Sequence, residues 1–208
     1  MLDQLRRDAP RYAHLGGWWK SPGFWVVALY RLGAWGHGLR NPLLRIPVVM
    51  AYRILKLPWR ILLNVYLPPT AHIGPGLCLI HPNNILVAPG VVIGKDCILF
   101  HEVTLGTGPT PGVPTLGDGV DVYVGARVLG GVRIGDASMI GANCVVTRSI
   151  PPGSVVVAAP NRIVPRSLAG FARKADEKAA ARPTPAPGTS APAATPSTGD
   201  GDPEPGSR

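Results

Sequence analysis

The chain has 208 residues, and glycine (26) and proline (24) together make up about a quarter of it. That share approaches the ~25–30% at which aperiodic chains are disordered, but 46% hydrophobic residues exclude disorder over the whole length. With only 16% charged residues, an ordinary charged helical bundle is excluded too, so glycine and proline must serve a periodic fold or a segregated tail.

The net charge of +9 belongs mainly to the first third of the chain. Residues 1–69 hold ten basic residues and two acidic ones, Asp3 and Asp8, and no carboxylate lies between Ala9 and Pro69. Such a segment suits anionic membrane lipid or an acidic partner. Nucleic acid is not expected, because no recognition motif accompanies the charge. The N-terminus lacks the apolar run of a secretory signal. The apolar runs Gly23–Tyr30 and Ile46–Tyr52 are shorter than the ~20 residues of a membrane span. Cys78, Cys97 and Cys144 are too few and too scattered for a disulfide framework or a zinc site. The expectation is a cytoplasmic protein with peripheral contact at the inner face of the membrane through residues 1–69.

Within that segment, helices interrupted by prolines are predicted. Ser21-Pro22 reads as a helix start, with serine as N-cap and proline at the first helical position. Phe24, Val27, Tyr30, Arg31 and Trp35 follow at helical spacing. Pro42, Pro47 and Pro58 are expected to cut the next stretch into short helical pieces.

Residues 70–167 carry a repeat of period six. Its aliphatic series is Ile73 and Leu79, then Val87, Ile93, Leu99 and Leu105, then Leu116, Val122, Val128, Ile134, Ile140 and Val146, with insertions of two and five residues between the three runs. A period of six fits neither a helix nor an alternating strand. It fits a parallel β-helix in which each hexad makes one face and one corner. Three hexads close a coil, so these twelve predict about four coils, stacked ~4.8 Å apart. Glycine follows Ile73, Ile93, Leu116 and Ile134 on the first face, where a tight corner would call for it. Cys97 and Cys144 fall at a small, inward position and read as core packing. The final segment, 168–208, is an extension rich in small residues and proline. From about residue 175 it has no apolar side chain larger than alanine and is expected to be disordered.

The candidate chemistry lies on the second face. His81 and His101 are the third residues of the Leu79 and Leu99 hexads, which stacks them on successive coils. The insertion 106–115 follows, suggesting a site under a loop. A neutral imidazole suits a general base acting on a hydroxyl, and it suits zinc equally well. The plainer alternative is a surface histidine that caps a corner carbonyl. His14, His37 and His72 carry no pattern of this kind.

The hexad repeat, the segment Ile73–His81, the turn Val103-Thr-Leu-Gly106 and the closing Ile140–Thr147 resemble the serine acetyltransferase family of left-handed β-helix acyltransferases. The similarity continues upstream in Gly23-Phe24, Tyr30-Arg31-Leu32-Gly33 and Trp35, and covers about residues 21–166. It implies left-handed coils and acetyl transfer from acetyl-CoA directly to a hydroxyl. His81 falls on the family's catalytic histidine, with His101 beside it as a second catalytic candidate. Ala126, Ala142, Thr147, Arg148 and Arg162 fall on cofactor contacts, in a groove between neighbouring subunits, so a homotrimer is implied.

Several positions depart from the family pattern. Ile80 and Tyr66 stand where the family has aspartates, and Gly112 and Val113 stand where it has an Arg-His pair that serves the amino-acid substrate. Glu102 is the carboxylate left near the histidines. On these grounds a sugar or polysaccharide precursor is the preferred acceptor, with serine O-acetylation for cysteine biosynthesis as the alternative. Two further classes are a carbonic-anhydrase-like zinc site, which needs a third ligand although no histidine follows His101, and a non-catalytic scaffold.

Overall fold

The computed structural model describes residues 1–159. Residues 160–208, which contain Arg162 and the predicted disordered tail, lie outside the described part. The chain opens with helix α1 (Leu2–Asp8) and two short 3-10 segments, Ala9–Leu15 and Trp18–Lys20. Helices α2 (Pro22–Gly38) and α3 (Pro42–Leu63) follow. Helix α2 starts at the predicted proline, but Ser21 does not cap it through its side chain: the hydroxyl donates backward to the Gly17 carbonyl at 3.1 Å.

Helix α3 differs from expectation. It is one helix of 22 residues with Pro47 and Pro58 inside it, not a set of short pieces. Each proline removes one N–H from the ladder, which frees the carbonyls of Leu43 and Ile54. All four residues are exposed, on the side of the helix open to solvent. Both ends are fixed: the Asn41 side chain accepts from the Leu43 N–H at 2.9 Å, and Asn64 closes the helix at φ 50°. The opposite face is held by packing. Tyr52 is buried, and a Cβ on Gly33 of α2 would lie 2.6 Å from its ring, so the two helices touch at a position that admits only glycine.

Beyond the helices the chain forms a parallel β-helix in the predicted register. Ile73, Ile93, Leu116 and Ile134 pair in sequence on the first face. Leu79, Leu99, Val122 and Ile140 do so on the second, and Val87, Leu105, Val128 and Val146 on the third. All twelve are buried. The ladder also gains one rung on each face. Tyr66 bridges Leu86, Ile150 bridges Ile134, and Val155–Val156 pairs with Met139–Ile140.

The corners follow a rule different from the one expected. The left-handed residue is usually the fourth of the hexad, as at Gly76, Gly90, Asp96, Gly119, Gly125 and Asn143. The second-position glycines of the first face are needed for proximity instead: a Cβ on Gly74 would meet the Gly94 carbonyl oxygen at 2.6 Å. Cys97 and Cys144 are buried in the core as expected. Burial pushes the Cys97 thiol up to about 11.

The helical segment closes the open end of the first coil. A β-helix end presents unpaired backbone groups that need a partner. The Tyr12 hydroxyl donates to the Leu77 carbonyl at 3.3 Å and accepts from the Leu79 N–H at 3.0 Å. Tyr30 does the same on the first face, donating to Ala71 at 2.7 Å and accepting from Ile73 at 3.2 Å.

Candidate active site

His81 and His101 sit on neighbouring rungs, at the corner between the second and third faces. Pairing of Leu79 with Leu99 sets them in register, and their ring centroids lie 6.4 Å apart at an interplanar angle of 70°. His81 is exposed, whereas His101 is half-buried. The Nδ1 of His101 is buried without a hydrogen-bond partner among the described residues. Glu102, the carboxylate next to it in sequence, is exposed and adopts the left-handed conformation at φ 61°.

The backbone of His81 is unusual for its column. In the next three coils the left-handed residue of this corner is Glu102, Gly125 and Asn143, each one place later than His81 in its hexad. In the first coil that place holds Pro82, whose ring fixes φ near −65°. Lengthened by the two-residue insertion, this corner carries two left-handed residues: Asn84 at φ 51°, in register with Glu102 through the Leu86–Thr104 pair, and His81, also at φ 51°. A non-glycine residue held there costs about 1–2 kcal/mol. The exposed histidine of the column is thus one of two residues of its corner held in this conformation by the surrounding chain. The proline and the two-residue insertion after it were the available sequence signals.

Beside the histidines runs a second column, Ile80, Phe100 and Tyr123. Phe100 and Tyr123 stack with centroids 4.7 Å apart and planes 14° from parallel. Sequence reasoning did not single out this apolar wall.

The insertion 106–115 leaves a different corner, between the third and first faces. It is tied to the next coil there, with the Thr110 carbonyl accepting from Gly131 at 3.2 Å and the Gly106 carbonyl from Gly130 at 2.8 Å. The loop of one chain thus folds against its own third-to-first corner, away from the corner that carries its histidines.

The remaining predicted positions are spread along the coils. Ala142 is exposed and occupies the histidine column two coils beyond His101. Thr147 and Arg148 are exposed and line a cleft of about 580 Å³ near the C-terminal coil, with Ser149, Ser154 and Val155. Ala126 is fully buried. Its N–H donates to the Tyr123 carbonyl and its carbonyl accepts from the Thr104 N–H, so within one chain both of its backbone groups are already paired. Arg162 lies outside the described residues. Among the described residues no group of three or more His, Cys, Asp or Glu side chains is placed to hold a metal. The two imidazoles alone supply two donors.

Coils of this register with paired corner histidines define a hexapeptide-repeat β-helix protein. No protein-family model matches the chain. A serine acetyltransferase of Synechococcus elongatus is 36% identical over 149 residues, covering 70% of this chain and 58% of that relative. One from Helicobacter pylori is 37% identical over 141 residues, covering 66% of this chain and 78% of the relative. The crystal structure of a Brucella abortus serine acetyltransferase in complex with coenzyme A superposes with a TM-score of 0.60 at 26% identity, covering 78% of this chain and 66% of that one. The chain belongs to the serine acetyltransferase family, and its coils are the left-handed β-helix of that family. It spans less than two thirds of the cyanobacterial relative's length.

Proposed function

We propose that the protein is an acetyl-CoA-dependent O-acetyltransferase in which His81 acts as general base. The observation that carries this reading is the exposed His81, held at a left-handed corner beside His101 on the coils of this family. The imidazole takes the proton of the acceptor hydroxyl as its oxygen attacks the thioester carbonyl. Backbone N–H groups stabilise the tetrahedral oxyanion. Collapse breaks the carbon–sulfur bond, and the departing thiolate takes the proton back from the imidazolium. No acyl-enzyme forms.

Serine is the acceptor that the relatives favour, since those reported above are named serine acetyltransferases. The sugar acceptor preferred from sequence alone yields to it as the main reading. A hydroxylated sugar remains a second reading on one specific observation: Ile80, Tyr66, Gly112 and Val113 replace the polar groups expected from the family to orient the base and hold serine.

The cofactor reading places acetyl-CoA along Ala126, Ala142, Thr147, Arg148 and Arg162, with the arginines facing its phosphates. A homotrimer follows from the same reading. The separation of the 106–115 loop from its own histidine corner supports it, because a neighbouring subunit's loop can then cover the site. The protein is placed in the cytoplasm, with peripheral contact at the membrane through residues 1–69.

Acetyl-CoA turnover with serine and with a panel of sugars tests the reading, beside His81→Ala. Serine turnover with loss of activity in the variant supports it. Full activity of His81→Ala overturns the mechanism, and turnover of sugars alone overturns the acceptor. Calorimetric titration with coenzyme A separates an enzyme from a scaffold that binds none.

A further inference from the structure

Among the described residues, exposed large hydrophobic side chains gather on the outward face of α3. Leu43, Ile46, Met50, Ile54, Leu57 and Ile61 recur every three or four residues and are all exposed, Leu43 at 81%. Leu44, Leu55 and Leu62 add a second exposed row. At 3.6 residues per turn the two rows cover about half the circumference, far wider than the two-position seam of a coiled coil. Pro47 and Pro58 interrupt this face, which spoils regular knobs-into-holes packing but not contact with a fluid phase.

The charge around the stripe is of one sign. Arg53 and Arg60 border it, Arg45 and Lys56 lie behind them on the same flank, and Arg40 precedes the helix. After Asp8 the sequence has no carboxylate until Asp96. A second copy laid on this face would bring the same cations and no acid from the segment to meet them. An anionic lipid surface meets both the apolar stripe and its basic border. No helix among the described residues is long and apolar enough to cross a membrane. The carbonyls freed by the two prolines also need water, so the helix must lie at the depth of the headgroups.

We propose that α3 docks the protein on an anionic lipid bilayer, lying in the interface with its outward face inserted. This narrows the membrane contact of residues 1–69, on which it rests, to one helix face. It also sets the helix plane parallel to the membrane, presenting the coils to acceptors at that surface.

The test is co-sedimentation of the full-length chain with vesicles of phosphatidylcholine alone, or with about a third phosphatidylglycerol. Binding to the anionic vesicles only is expected, weakened about tenfold or more when salt is raised to ~0.5 M. Ile54→Glu with Ile61→Glu is expected to lose binding about tenfold or more while keeping its thermal transition and acetyl transfer. If that variant fails to fold, Arg53→Gln with Arg60→Gln decides the matter through a several-fold loss on anionic vesicles only. Binding unchanged in these variants but lost in Trp18→Ala with Trp19→Ala overturns the α3 assignment and leaves the contact of residues 1–69 standing. No binding by the wild type overturns both. A higher oligomer that Ile54→Glu with Ile61→Glu dissociates, without lipid binding, makes the stripe a self-interface and overturns the proposal.

Discussion

Arg31 of α2 and Asp8 at the end of α1 form an ion pair at 3.1 Å, with both side chains out of contact with water. The guanidinium also donates to the carbonyls of Ile73 and Gly74, and Asp8 accepts from the Gly76 N–H at 2.7 Å. The pair therefore closes the first turn of the β-helix as well as neutralising itself. Removing one partner leaves a buried charge alone, which costs about 3–5 kcal/mol. Asp8→Ala is expected to lower the urea midpoint accordingly. Arg31→Lys is expected to do so nearly as much, because an ammonium cannot hold two carbonyls and a carboxylate in one plane.

Tyr12 and Tyr30 cap the same end through single hydroxyls that each donate once and accept once. Phenylalanine at either place strands a buried carbonyl and a buried N–H, at a cost of about 1–3 kcal/mol. Faster amide exchange at Leu79 in Tyr12→Phe, and at Ile73 in Tyr30→Phe, would locate the damage.

The same burial sets an alkaline limit. Desolvation raises the Tyr12, Tyr30 and Tyr52 phenols, and pushes the Cys78 and Cys97 thiols up to about 11. The folded chain thus holds protons that the unfolded chain releases near pH 9–10. Stability from these groups is complete below that range and falls as pH rises through it. Urea midpoints measured from pH 8 to 11 should decline, and Cys97→Ala should flatten the decline.

Glycines of the repeat divide by what surrounds them. A Cβ on Gly74 would meet the Gly94 carbonyl oxygen at 2.6 Å, whereas one on Gly106 would meet nothing nearer than 3.9 Å. Gly74→Ala should cost about 1–3 kcal/mol by overpacking, and Gly106→Ala should be nearly neutral. Equal thermal shifts in the two variants would contradict this account of the corner.

The register of the coils was legible because every inward position repeats at six, and pairing then depends on period alone. Ile150 and Val156 were not, since Ile150 lies four positions after Val146 and the count of six breaks there. Leu67 keeps the spacing to Ile73 but precedes Pro68-Pro69, which read as an ending. The proline rule also misread α3, where caps at Asn41 and Asn64 and the packing of Tyr52 outweigh two lost hydrogen bonds. Asp8 and Arg31 meet across 23 residues with no shared period, so nothing local marked the pair. The histidine column was visible from the fold register; the strain on His81 was not, because it depends on how the neighbouring coils place their turns.

That strain separates chemistry from stability at one residue. His81 adopts φ 51° in the lengthened corner that it shares with Asn84. Glycine takes this conformation without a Cβ penalty. His81→Gly should therefore match or exceed the wild type in thermal stability, by up to about 1 kcal/mol after its larger unfolded-state entropy is counted. The same variant loses the proposed base and should lose acetyl transfer about 10²–10⁴-fold. His81→Ala, which keeps the strain and loses the imidazole, should be equally inactive but less stable than His81→Gly. Calorimetric melting beside acetyl-CoA turnover reads both effects. A His81→Gly protein less stable than His81→Ala would show that the corner is not strained, and one that still turns over would remove His81 from the chemistry.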